Sequence, residues 1–136
     1  MKYYIVLDTN VLISSLLKKE SNPGKVFDYI VKGLIIPIVC KEIISEYIEV
    51  LHRDKFSFNN NEIDYVIYSV IRNAIFVENL KYNYQLADSK DTIFYVLVKS
   101  IRHEYGAYLV TGNLKHFPNE KYIISVKQMI DIIENS

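Results

Sequence analysis

A run of five apolar residues, Tyr3-Tyr4-Ile5-Val6-Leu7, stops at Asp8, and from there the periodicity changes. The run is aromatic, β-branched and aliphatic and too short for a buried helix, so it reads as a fully buried strand. Immediately afterwards Val11, Leu12, Ser15 and Leu16 recur at helical spacing. That switch puts Asp8 at the carboxyl edge of a sheet, where open α/β folds place their ligand sites. An acid in this position can also simply cap the helix that follows.

The alternation continues along the chain. The first helix reaches about residue 19, and residues 20–22 form a loop. Asn22 as cap and Pro23 in the first turn open a second helix, which Gly33 ends. Residues 34–39 read as a second strand, with Pro37 pointing to a sheet edge or a strand end. A helix follows over 41–53, with Ile43, Ile44, Tyr47, Ile48 and Leu51 as its buried stripe. The loop 56–61 carries Asn59-Asn60-Asn61 as a cap for a helix over 62–74, and a third strand spans 75–77. A polar, Tyr-rich loop reaches Ser89, and 92–105 is helical with Gly106 as its stop. A strand over 107–110, a turn at Gly112-Asn113, a strand over 122–126 and a helix over 127–134 complete the pattern. No linker, repeat or low-complexity tract interrupts it. The expectation is a single domain over residues 1–136, an α/β fold with a mainly parallel, twisted sheet flanked by helices on both faces.

Composition narrows the functional classes. Half of the residues are apolar and 24% are charged, which suits a globular core. Lys plus Arg equals Asp plus Glu, so the chain is not a strongly basic nucleic-acid binder, although a local basic patch can coexist with acids gathered in one cleft. The lone cysteine, Cys40, rules out an internal disulfide and a cysteine-based zinc cluster, leaving core packing as its role. The apolar run 34–40 is far too short to span a membrane, and Asp8 breaks the N-terminal run too early for a signal peptide, so a cytoplasmic protein is expected.

Four polar positions recur at comparable places. Asp8 and Asn113 each follow a strand, the latter within Thr111-Gly112-Asn113. On the helix over 41–53, Glu46 flanks the apolar stripe beside Val50, whereas Glu49 points nearly the opposite way. Asp91, after Asp88-Ser89-Lys90, lies at or just before the first turn of its helix, where capping is again the simpler use. Together the four can converge on one cleft. Hard oxygen ligands without cysteine or clustered histidine suit Mg²⁺ or Mn²⁺ rather than zinc. Such cations acidify water and neutralise a phosphodiester, and they relieve the repulsion between crowded carboxylates.

Four segments carry a family likeness: Leu7-Asp8-Thr9-Asn10-Val11-Leu12; the Glu46 helix running into His52-Arg53-Asp54-Lys55-Phe56; Asp88-x-x-Asp91-x-x-Phe94; and the stretch from Leu109 to Phe117. In this order they resemble a PIN domain, and most nearly its bacterial and archaeal toxin branch, similar to VapC-type proteins. The resemblance implies a PIN-like three-layer fold and a metal-dependent ribonuclease, usually a homodimer neutralised by a cognate antitoxin. It implies Asp8, Glu46 and Asp91 as metal ligands and catalytic acids and Asn113 as a fourth catalytic position, with Asn10, Thr111 and Asp88 in support. Two departures stand out: many relatives carry Asp where this chain has Asn113, and Ser89-Lys90 replaces the acids or proline frequent there. Both lower the negative charge of the site.

His52, His103 and His116 are scattered, and none is expected to bind metal. Arg53, Lys55, Lys115 and His116 are candidates for RNA phosphate contacts, although cations at a helix C-terminus equally complement its dipole; Tyr82 and Tyr84 can stack on unpaired bases, with ordinary loop packing the simpler use. Two other readings fit the same residues. One is phosphoryl transfer with Asp8 as covalent nucleophile and Lys115 as charge clamp, a design that wants an acid where Asn10 stands. The other is a non-catalytic RNA- or protein-binding module on the same scaffold.

Overall fold

The N-terminal apolar run forms β1 (Tyr3–Leu7), and the switch at Asp8 leads directly into α1 (Thr9–Leu17). The computed structural model describes residues 1–80 and 89–136. After α1 come α2 (Asn22–Val31), β2 (Ile35–Val39), α3 (Lys41–Leu51), α4 (Asn60–Ile71) and β3 (Ile75–Phe76). The remainder is α5 (Ser89–Tyr105), β4 (Tyr108–Val110), β5 (Ile123–Ile124) and α6 (Val126–Glu134), with short 3-10 turns at Asp54–Phe56 and Leu114–His116.

Among the described residues the five strands form one sheet in the order β3-β2-β1-β4-β5, and every pairing is parallel. Helices cover both faces, giving the expected three-layer α/β fold. α2 packs on β2, and α5 on β1 and β4. Ile5, Val6 and Leu7 of β1 and all five residues of β2 are buried, which is why these strands read as continuous apolar runs rather than alternating ones. Strand order runs from β1 to β2 and β3 on one side and to β4 and β5 on the other. The reversal falls between β1 and β4, and the crevice beyond the carboxyl ends of such a pair is the standard ligand site of an open α/β sheet.

Local chemistry sets the element boundaries. Asn59 caps α4 in a reciprocal capping box with Glu62, and Ser125 does the same for α6 with Gln128. For α2 the cap is Ser21, one residue before the expected Asn22, because its side chain accepts from Gly24 N at 3.2 Å. Gly33 and Gly106 adopt φ of 82° and 63° just past α2 and α5, a conformation that glycine supplies without strain. The helix expected over 92–105 begins at Ser89, so Asp91 lies inside its first turn.

Two readings are corrected. Pro37 does not mark a sheet edge: it is buried in β2, a strand paired on both sides, opposite Ile5. Leu34 O accepts from Tyr3 N and Val39 O from Val77 N, so Pro37 shares the orientation of Val39 and faces the β3 side. Pairing with β3 starts only at Ile38, so the N–H that proline lacks has no partner to lose. On α3, Ile48 is 39% exposed and Ile44 half-buried; the buried stripe is Ile43, Tyr47, Val50 and Leu51. No helix among the described residues is long and apolar enough to cross a membrane.

Candidate active site

Asp8 is the residue before α1, yet its side chain makes no cap hydrogen bond. It turns toward β4 instead, where Thr111 Oγ1 donates to Asp8 Oδ2 at 2.7 Å. The backbone follows the same seam, with Asp8 N bonded to Val110 O at 3.0 Å. Thr111, fully buried, is held in turn by Asn113 N, which donates to its Oγ1 at 2.9 Å across the Gly112 turn. Asp8 is only 5% exposed, and this burial pushes its carboxyl above the usual range. The Thr111 hydroxyl, the nearby amides of Thr9 and Asn10 and the His116 imidazole pull the other way without overcoming it.

Glu46 reaches the same place from α3. It is half-buried, and Thr9 Oγ1 donates to its Oε2 at 2.5 Å. Thr9 directly follows Asp8, so a single residue of α1 ties the helix acid to the strand-end acid. Beneath them the fully buried Tyr47 donates its hydroxyl to Leu7 O at 2.5 Å, pinning the last peptide of β1. Burial holds the Tyr47 phenol far above its ordinary range, and the charges of Asp8 and Glu46 add to that. One hydroxyl thus senses both acids.

Asp91 approaches from the first turn of α5, its side chain 14% exposed, with His116 Nδ1 3.2 Å from its Oδ2. His116 also lowers the Asp8 pKa, so it links the third acid to the first. Glu49 carries no such link: it is exposed and pairs with Arg53 at 3.3 Å.

The structure therefore brings Asp8, Glu46 and Asp91 to one end of the sheet, with Thr111 and the Asn113 backbone. Asn10 is exposed beside them. Arg53 and Lys55 are not part of this group. Arg53 lies past the end of α3, where it pairs with the exposed Glu49, and Lys55 sits over the Phe56 ring at 5.1 Å. Lys115 and His116 line a groove beside Thr111. Asp88, Tyr82 and Tyr84 lie outside the described residues. Three participants escaped the sequence reading: Thr9 and Tyr47, as hydrogen-bond donors at the site, and His116, as a partner of Asp91. Thr9 had a signal in its place between Asp8 and Asn10. His116 had none, because its partner is far away in sequence.

Among the described residues no three His, Cys, Asp or Glu side chains stand close enough to enclose a metal ion as they lie. Thr111, Thr9 and His116 each engage one carboxylate instead. The donor chemistry nevertheless fits a hard dication: three carboxylates, no thiolate, and in Asp8 a buried acid whose charge a cation would stabilise.

Searches of curated proteins and of solved structures find no match. A family model described as PIN domain does match, over residues 4–115, a span that includes Asp8, Glu46, Asp91 and Asn113. PIN domains are in general nucleases that act on RNA and typically use divalent metal ions. With the fold matching as well and most of the sequence covered, the chain belongs to the PIN domain family.

Proposed function

We propose that this protein is a Mg²⁺- or Mn²⁺-dependent endoribonuclease, the VapC-like toxin of a type II toxin–antitoxin pair, acting in the cytoplasm as a single PIN domain over residues 1–136. One observation carries the reading. In a PIN-family chain, Asp8 follows β1 at the switch point of a parallel sheet and is bonded to Thr111, Glu46 is bonded to Thr9, the residue after Asp8, and Asp91 faces His116 in the turn after β4.

Asp8, Glu46 and Asp91 would hold the ion. When bound, the dication supplies positive charge at the scissile phosphate and lowers the pKa of water. The rest is the work of the chain. Thr111 fixes the rotamer of Asp8 and Thr9 that of Glu46, so their oxygens are oriented before substrate arrives. Tyr47 and the burial of β1 keep that edge of the sheet rigid. Asn113, anchored by its own N–H to Thr111, presents a neutral amide that orients water or phosphate without adding charge. Lys115 and His116, just beyond, face the RNA backbone. Asn113 in place of an acid favours a single tightly held ion. Exposed Tyr65, Tyr68 and Phe76 supply apolar surface for the homodimer and antitoxin contacts that the toxin reading requires.

The test is cleavage of a mixed RNA pool by the purified protein. Cleavage is expected with Mn²⁺ or Mg²⁺, to stop with EDTA, and to be lost in Asp91→Asn. RNA left intact in the presence of either ion refutes the proposal.

A further inference from the structure

A groove of about 590 Å³ opens beside the acid site, lined by Thr111, Gly112, Asn113 and the 3-10 turn Leu114–His116 on one wall and by Ser125, Val126 and Lys127 of the α6 start on the other. It shares two residues with the acid site: Thr111, which holds Asp8, and His116, which faces Asp91. Among the described residues the groove's lining carries no acid but has two lysines, Lys115 and Lys127, both exposed. A chain with no net charge has here collected cations next to a cluster of carboxylates.

Lys127 is in an awkward place for stability. It stands two residues past the Ser125 cap, in the first turn of α6, where the helix dipole favours acids, and that turn contains none. Its contact is Asp131, at 3.0 Å, an exposed pair of the kind that contributes little and exchanges readily. A cation kept where the helix disfavours it indicates a use other than folding. The lining adds exposed Leu114, 44% accessible, and half-buried Val126, apolar surface against which a base can rest.

We propose that this groove is a nucleotide subsite that guides the single RNA strand away from the acid site. Lys127 and Lys115 grip a backbone phosphate adjoining the scissile one, and Leu114 and Val126 support the base. Lys127 is thus a positioning residue for the substrate. The inference rests on the ribonuclease reading but adds a residue, an element and a strand path that the reading does not contain.

The test uses a fluorescein-labelled, single-stranded 2′-O-methyl RNA dodecamer of mixed sequence, bound to the full chain without metal and followed by polarisation over a range of NaCl. Lys127→Gln is expected to weaken binding about three- to tenfold and to flatten the plot of log K against log salt by about 0.7, the loss of one phosphate contact on a single strand. Lys127→Arg restores both, and Lys32→Gln, at the far end of α2, changes neither. The melting temperature of Lys127→Gln stays level or rises, which separates lost contact from lost folding. If Lys127→Gln and Lys115→Gln bind with the affinity and salt slope of the unmodified protein while Asp8→Asn still abolishes cleavage, the groove proposal is overturned and the ribonuclease reading stands. If the unmodified protein neither binds the dodecamer nor cleaves RNA, both fall.

Discussion

Replacing Asp8 by Asn should reverse the order of stability between mutant and parent when metal is added. The carboxylate is 5% exposed, and burial raises its pKa above the unfolded value of 3.8. A group with a raised folded pKa binds its proton more tightly when folded, so stability is lost as pH climbs through that range toward neutrality. Asparagine keeps an oxygen to accept from Thr111 and removes this cost. Each tenfold change in acid dissociation constant is worth about 1.4 kcal/mol. For 136 residues the unfolding entropy is about 0.29 kcal/mol/K, so each such factor raises the mutant Tm by about 5 °C at pH 7. The advantage should shrink toward pH 4, where both states of the parent approach neutrality. With Mn²⁺ at a hundred times its Kd, the parent gains about 2.7 kcal/mol, or about 9 °C, and the mutant gains far less. Calorimetric scans at pH 4 and pH 7, with and without Mn²⁺, read all of this, and RNA cleavage by the mutant should be abolished. A mutant that melts well below the parent without metal would show that Asp8 is structural support. Equal Mn²⁺ stabilisation of both proteins would remove Asp8 from the ligand set.

Other substitutions probe the remaining groups. Glu46→Gln should weaken Mn²⁺ binding and slow cleavage while Glu49→Gln does neither, since only Glu46 is tied to the site by Thr9; identical behaviour would end that distinction. Tyr47→Phe removes one buried hydrogen bond to Leu7 O, worth about 1 kcal/mol, so its Tm should fall by about 3–4 °C, and an unchanged Tm refutes the anchoring role. Asn113→Asp should tighten a second Mn²⁺ in titration calorimetry, and Asn113→Ala should cost less activity than Asp8→Asn. Two equally tight ions in the unmodified protein would contradict the charge argument.

Much of the architecture was legible because it is written in local periodicity. The β1 run and the period change at Asp8, the continuous apolar β2 and the Asn59–Glu62 box each announce themselves over a few residues. Short-range chemistry also separated Glu46 from Glu49, since a helical wheel needs only the helix itself. What failed was what depends on neighbours distant in sequence. Pro37 sits inside the sheet because β3 is too short to reach its missing N–H, and nothing near Pro37 encodes the length of β3. Ile48 is exposed because packing, not hydropathy, decides which side of α3 is covered.

The sequence by itself determined which polar residues were candidates for the site and that two of them, Asp8 and Asn113, would follow strands at one edge of a parallel sheet. Only the tertiary structure decided which hydroxyl or imidazole engages each acid. Thr111 reaches Asp8 across 103 positions and Thr9 reaches Glu46 across 37. His116 meets Asp91 because the turn after β4 folds over the start of α5. The physical reason is that a strand or helix is chosen by the free energy of a few adjacent residues, whereas a site is assembled by long-range packing that brings separate elements within hydrogen-bonding distance.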